Sequence, residues 1–171
     1  HESYDETDHT APLNVYGQTK LDGETAILSK MALNAIIIRT SWVYSLYGNN
    51  FVDTILKLCH QKDKLNIVFD QIGTPTNAND LANAILNAVN NGPVNTPYEC
   101  LGSNVGYSVK EVLDTMQIVT GKEFKIIETS RRKGDAVISI VDNLSKHITL
   151  TKTIEDMCLD QYKLERYKNE F

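Results

Sequence analysis

The 171 residues, 42% hydrophobic and 23% charged, are enough to bury a real core and suit one domain or part of a larger one. A formal net charge of -5 and a pI near 5.3 argue against a broad nucleic-acid footprint or docking to an anionic membrane surface, although local basic groups can still hold a phosphate. No run approaches the roughly 18 apolar residues of a spanning helix, and the opening HESYDETDHT is polar and acidic, unlike a signal peptide, so no membrane partner and a cytoplasmic location are expected. Cys59, Cys100 and Cys158 are odd in number, widely spaced and lack any C-x-x-C, which suits reduced thiols. His1, His9, His60 and His147 are scattered, with no zinc-type spacing and therefore no expected metal. The first residue is His1 and not methionine, which raises the expectation of a fragment.

Helical patterns alternate with short β-branched runs, the mark of an α/β fold. After Pro12 a helix is expected from about Leu13 to Ala32, then a strand AIIIRTSWVY whose Ile36, Ile37 and Ile38 read as a parallel strand covered on both faces. A helix around NFVDTILKLCHQ, a strand LNIVFD and a helix NDLANAILNAVNN closed by Gly92 follow, and PYECLG reads as another strand. In SVKEVLDTMQIVTG, Ser108 and Glu111 form a capping box, while Val109, Val112, Leu113, Met116 and Val119 make one apolar stripe ended by Gly121. FKIIET and AVISIVD are expected strands, and TIEDMCLDQYKLERYK a closing helix with a basic end suited to its dipole. There is no internal repeat or low-complexity tract.

The stretch NVYGQTKLDGE places Tyr16 four residues before Lys20, so on a helix the two project side by side, about 6 Å apart along the axis. A phenol with an ordinary pKa of about 10 is a poor acid-base group near neutrality, and a neighbouring ammonium favours its phenolate. Such a pair suits proton donation to a carbonyl becoming an alcohol. A decorative Y-x-x-x-K on a helix surface is the plainer alternative, and the surrounding sequence has to decide.

That surrounding sequence is distinctive. PLNVYGQTKLDGE, then IIIRTSWVY, NNFVDTIL and DQIGTPTNANDLA, over roughly residues 4–90, resemble the extended short-chain dehydrogenase/reductases and, within them, the dTDP-4-dehydrorhamnose reductases. The resemblance implies a Rossmann-type α/β fold with a small substrate-binding subdomain. It implies an NAD(P)-dependent oxidoreductase using NADPH or NADH to reduce the 4-keto group of a nucleoside-diphosphate 4-keto-6-deoxyhexose. Tyr16 would be the general acid and Lys20 its tuning charge, both also touching the nicotinamide ribose. Thr40 and Ser41 would line the cofactor site. Trp42 would pack against the sugar, with a core aromatic as the alternative, and Asn50 and Phe51 would open a helix toward the diphosphate, with simple capping as the alternative. Gln71 and Thr76 read equally well as turn residues.

From about Pro97 the segments YECLGSNVGYSVKEVLDTM, ETSRRKGDAV and VDNLSKHI resemble the C-terminal part of nucleotide-sugar 4-epimerases, over residues 97–147. By that resemblance Arg131 or Arg132 would reach the diphosphate, for which a planar guanidinium fork is suited, and Asp135 would cap or orient the loop. Two adjacent arginines on a solvated face are the alternative. The likeness weakens after Lys146, leaving the docking of the last helix open.

The nine glycines never form G-x-x-G-x-x-G after a strand, so the expectation is that the amino-terminal half of an extended reductase lies upstream and that this chain alone binds NADPH weakly or not at all. Residues 1–46 would be the remainder of the cofactor-binding domain, 47–76 a substrate subdomain, 77–103 a helix and strand returning to the cofactor domain, and 104–171 the C-terminal substrate-binding subdomain. A homodimer is among the expected partners. Two other readings stand beside the reductase: a sugar-nucleotide 4-epimerase, and a non-catalytic binding or regulatory protein on the same fold.

Overall fold

Local capping chemistry sets the helices. In this computed structural model, which describes residues 3–31, 34–91, 98–141 and 153–170, the helices are α1 (Val15–Met31), α2 (Phe51–Gln61), α3 (Ala78–Asn91), α4 (Val109–Thr120) and α5 (Ile154–Glu170). At the start of α4, Ser108 Oγ accepts from the Glu111 amide at 3.1 Å, and the Ser108 amide donates back to the Glu111 carboxylate at 2.7 Å. The expected box is therefore formed, and Gly121 closes the helix at φ +66°, a left-handed turn that glycine adopts without a Cβ clash. A second reciprocal cap, absent from the sequence reading, opens α5: the Asp156 amide donates to Thr153 Oγ1 at 3.1 Å and the Thr153 amide to the Asp156 carboxylate at 2.9 Å.

The strands are β1 (Ile37–Thr40), β2 (Val43–Tyr44), β3 (Lys64–Ile67), β4 (Ile72–Gly73), β5 (Thr76–Asn77), β6 (Tyr98–Leu101), β7 (Tyr107–Ser108), β8 (Lys125–Glu128) and β9 (Ile138–Ser139). β1 pairs with β6, β2 with β5 and β3 with β8, all parallel, as βαβ-type crossovers require. β4 lies between β7, antiparallel to it, and β9, parallel to it.

The core sits among α2, α4, α5 and β3. Val52, Ile55, Leu56 and Cys59 form the buried face of α2, and Val109, Val112, Leu113 and Met116 that of α4, at the i, i+3, i+4 and i+7 spacing of one helix face. Helix α5 docks onto this core through Ile154, Met157 and Cys158, so the placement the sequence left open is settled by burial. Burial pushes the Cys158 thiol up to about 12, leaving it a packing group, and none of the three cysteines is in a disulfide.

Three expectations are corrected. The run AIIIRTSWVY is not one strand: it breaks at Ser41 and Trp42, where Trp42 takes φ +41°. Nor is it covered on both faces, because Ile36 is 41% exposed and Ile37 to Thr40 are half-buried, β6 being the one strand paired with β1 among the described residues. The strands in LNIVFD and AVISIVD are shorter than expected, ending at Ile67 and reduced to Ile138–Ser139, since the backbone there turns to build loops beside the clefts described below. Gly92, Pro97 and the serine-lysine segment after Val141 lie outside the described residues, as do the side chains at the basic end of α5.

Leu113→Ala, which opens a void in a site with no exposed surface, is expected to cost about 2–5 kcal/mol by urea denaturation. Ser108→Ala is expected to cost about 1 kcal/mol at neutral pH. The amide and hydroxyl of Ser108 hold the Glu111 carboxyl below its ordinary value of 4.5, so this contribution is present above that value and lost as pH falls through the lower folded value. The Ser108→Ala penalty should accordingly shrink in acid, and a penalty that grows there would contradict the capping box.

Candidate functional site

Helix α1 carries the tyrosine and lysine. None of its residues is buried within this chain, and two polar contacts tie it to the rest. Asn14 makes the first: its Oδ1 accepts from the Gly17 amide at 2.8 Å, capping the helix, while its Nδ2 donates to the Gly134 carbonyl at 2.9 Å. One side chain thus starts the helix and ties it to the R-R-x-G-D loop 120 residues away. The second contact is a two-point ion pair in which Arg39 of β1 donates through Nε at 3.0 Å and Nη2 at 2.5 Å to the Glu24 carboxylate.

In the first turn of α1, Tyr16 is 71% exposed, and the Lys20 ammonium stands over its ring, 5.1 Å from the centroid. Both line a cleft of about 530 Å³ bounded by residues 4–14, the face of α1, the end of β1 and residues 136–141. Thr40 lines the same cleft and donates from Oγ1 to Thr76 Oγ1 at 3.3 Å. Ser41 does not line it: its side chain is buried, with Oγ 3.3 Å from Ser139 Oγ.

Trp42 and Phe51 line a second, smaller cleft of about 170 Å³ with Tyr44, Gln71, Val109 and Met157 on its walls. The two aromatic rings are 6.0 Å apart and tilted by 39°. Burial pushes the Tyr44 phenol up to about 12, so it stays neutral across the working range. Asn50 is engaged as the N-cap of α2, its Oδ1 accepting from the Asp53 amide at 3.0 Å and its Nδ2 donating to the Ser45 carbonyl at 2.8 Å. Gln161 of α5 also donates to that carbonyl, drawing the last helix onto the loop after β2.

Arg131 and Arg132 line neither cleft. Arg131 donates through Nε to the Asp70 carboxylate at 2.9 Å, which joins two loops 61 residues apart, and leaves its terminal nitrogens for another acceptor. Arg132, whose side chain is 84% exposed, donates through Nε to Asp135 at 3.1 Å, so Asp135 orients this loop.

A family profile described as RmlD substrate binding domain matches residues 1–101. The chain belongs to the RmlD substrate binding domain family. A dTDP-4-dehydrorhamnose reductase from Sinorhizobium fredii is 51% identical over 83 residues, 48% of this chain and 28% of the relative. The solved dTDP-4-dehydrorhamnose reductase of Bacillus anthracis in complex with NADP superposes with a TM-score of 0.77 at 26% identity, covering 99% of this chain and 60% of that one. A UDP-glucose-4-epimerase from Stenotrophomonas maltophila, with bound NAD, gives a TM-score of 0.83 at 20% identity over 99% of this chain and 60% of that one, a likeness of fold. The fold is therefore that of the Rossmann-type extended short-chain dehydrogenase/reductases, and this RmlD-family chain spans under a third of the length of the curated relative and 60% of each solved one.

In this member of the RmlD family, the structure brings Tyr16, Lys20 and Thr40 to one cleft and Trp42 and Phe51 to another, and leaves Ser41, Asn50, Arg131 and Arg132 beside them. Sequence reasoning missed Asn14 and Glu24. Asn14 is a cap-type residue that the expected start at Leu13 placed inside the helix, whereas the structure starts α1 at Val15; nothing local marks Glu24 as the partner of Arg39. Removing that partly buried pair with Glu24→Ala is expected to cost about 1–2 kcal/mol and to raise amide exchange across α1 more than across α4. Equal exchange in both helices would show that α1 is held by something else.

Proposed function

We propose that this chain is the substrate-binding and proton-donating part of an NAD(P)H-dependent reductase acting on a nucleoside-diphosphate 4-keto-6-deoxyhexose. The observation that carries this reading is the placing of Tyr16 and Lys20 side by side at a cleft of about 530 Å³, within a stretch about half identical to dTDP-4-dehydrorhamnose reductases. The division into a cofactor side (1–46 and 77–103) and a substrate side (47–76 and 104–171) belongs to the same proposal. Pairing of β1 with β6 and of β3 with β8 supports it.

The residues present fit the nicotinamide-ribose end of the cofactor. The hydroxyl of Tyr16, the ammonium of Lys20 and the hydroxyl of Thr40 share one open cleft, and Ser41 supports the strand end beneath. Nothing in the nine glycines matches the turn that cradles a dinucleotide diphosphate, so that end is not assigned to residues of this chain. When bound, the reduced nicotinamide supplies a hydride to the sugar carbonyl. Tyr16 Oη gives its proton to the keto oxygen as the carbonyl becomes an alcohol, and the Lys20 ammonium stabilises the phenolate left behind. Trp42 and Phe51 offer apolar faces to the sugar nucleotide. The free terminal nitrogens of Arg131 and the exposed fork of Arg132 suit its diphosphate oxygens.

A 4-epimerase is the second reading, favoured by the R-R-x-G-D loop being tied directly to the start of α1 through Asn14. The same tyrosine and lysine would then serve a transient oxidation. For the reductase, Tyr16→Phe in the intact enzyme is expected to lower the reduction rate by about 10²–10⁴-fold while leaving NADPH affinity within about twofold. Undiminished turnover in that variant would remove Tyr16 from the proposed role.

A further inference from the structure

The glycine of DQIGTPT has a task that its sequence context does not announce. Gly73 lies on β4 directly beneath the indole of Trp42: a Cβ built there would stand within 2.6 Å of the indole atoms Cδ2, Nε1 and Cε2. Real Cβ contacts of that length do not occur, so any side chain at 73 must displace either the strand or the ring.

The strand has little room to yield. β4 is the central strand of its sheet, paired on one edge with β7 (Gly73 opposite Tyr107) and on the other with β9 (Gly73 opposite Ser139). Its neighbour Gln71 accepts at its carbonyl from the Val109 amide at 3.0 Å, and the Ile72 amide donates to the Val137 carbonyl at 2.9 Å. Receding from the indole would break contacts on both edges. The backbone of Trp42 is equally constrained, because its carbonyl accepts from the Thr76 amide at 3.2 Å, and its φ of +41° is one that a bulky residue keeps only when its surroundings impose it. What remains free to move is the side chain, by rotation about its own bonds and away from Phe51.

We infer that Gly73 is the positioning residue for the Trp42 indole, and through it a determinant of sugar-nucleotide binding in the smaller cleft; this rests on the substrate role of Trp42 proposed above. Gly73 touches no substrate itself. It leaves the space in which the indole lies flat against β4 and faces Phe51 across the cleft. Alanine at 73 evicts the ring, so recognition of the sugar nucleotide falls while groups at the larger cleft are undisturbed.

Trp42 is the only tryptophan in the chain, so its fluorescence reads the interlock directly. The experiment compares the unmodified chain, Gly73→Ala and the control Gly23→Ala, whose added Cβ meets nothing within 4 Å, by emission maximum, acrylamide quenching and titration with dTDP-glucose and UDP-glucose. Gly73→Ala is expected to red-shift the emission, increase quenching and weaken sugar-nucleotide binding by roughly tenfold, with Gly23→Ala unchanged. Unaltered emission and quenching in Gly73→Ala would overturn the inference, as would altered emission with unaltered affinity. If the unmodified chain binds neither sugar nucleotide, the substrate role of Trp42 fails and takes this determinant with it, even though the emission shift of Gly73→Ala persists. Should Gly73→Ala not fold, Trp42→Leu alone is compared with the double variant. Adding Gly73→Ala to Trp42→Leu is expected to change affinity by less than about twofold, because the ring it would displace is gone, and a further roughly tenfold loss overturns the inference.

Discussion

Helix α1 is anchored by polar contacts, and the arrangement of the site depends on that. Amphipathic helices elsewhere in the chain are placed by burying a face: α2 and α4 each sink four side chains into the common core. Helix α1 buries none. Within this chain Asn14 at its start is tied to the Gly134 carbonyl and Glu24 in its middle to Arg39 of β1. Because these two contacts reach a loop of the C-terminal part and a strand of the N-terminal part, α1 registers the two parts against each other. Tyr16 and Lys20 project from between them, with their polar ends at the wall of the larger cleft.

The region around the smaller cleft obeys a different constraint. There, segment 70–73 works as a hub: Asp70 holds Arg131, Gln71 and Ile72 join α4 and the approach to β9, and Gly73 underlies Trp42. An aromatic wall and a guanidinium are thereby fixed relative to one another by four consecutive residues. Binding sites gain precision when their contacting groups are locked by packing and secondary contacts, and this short stretch supplies both. Cys59, Cys158 and Tyr44 belong to the buried core beneath this region, and burial keeps the Cys158 thiol and the Tyr44 phenol neutral.

Much of this is legible in the amino-acid sequence. Capping at Ser108, the apolar stripe of α4 and the left-handed stop at Gly121 are local features, written in residues three or four apart, and the fold repeats them faithfully. The Tyr16–Lys20 pair was likewise readable, since a four-residue spacing on a helix determines adjacency. What escaped was of two kinds. The break at Trp42 runs against a β-branched, aromatic stretch with strong strand character, and only the strands β5 and β6, distant in sequence, impose it. Contacts such as Asn14 to Gly134, Arg39 to Glu24 and Gly73 to Trp42 pair residues of unlike type across 15 to 120 positions, and no periodicity within the chain announces them. Asn50 shows the intermediate case: its helix-opening position was evident, and the structure fills both ends of its amide with backbone partners.

The reductase and epimerase readings share a fold, a tyrosine and a lysine, and they part on the fate of the hydride. The most direct measurement is therefore the cofactor balance in the intact enzyme supplied with a nucleoside-diphosphate 4-keto-6-deoxyhexose and NADPH. One NADPH oxidised for each sugar reduced is the expected result. Interconversion of 4-hydroxy sugar nucleotides with no net loss of reduced cofactor, and no oxidation of NADPH by the keto sugar, would contradict it.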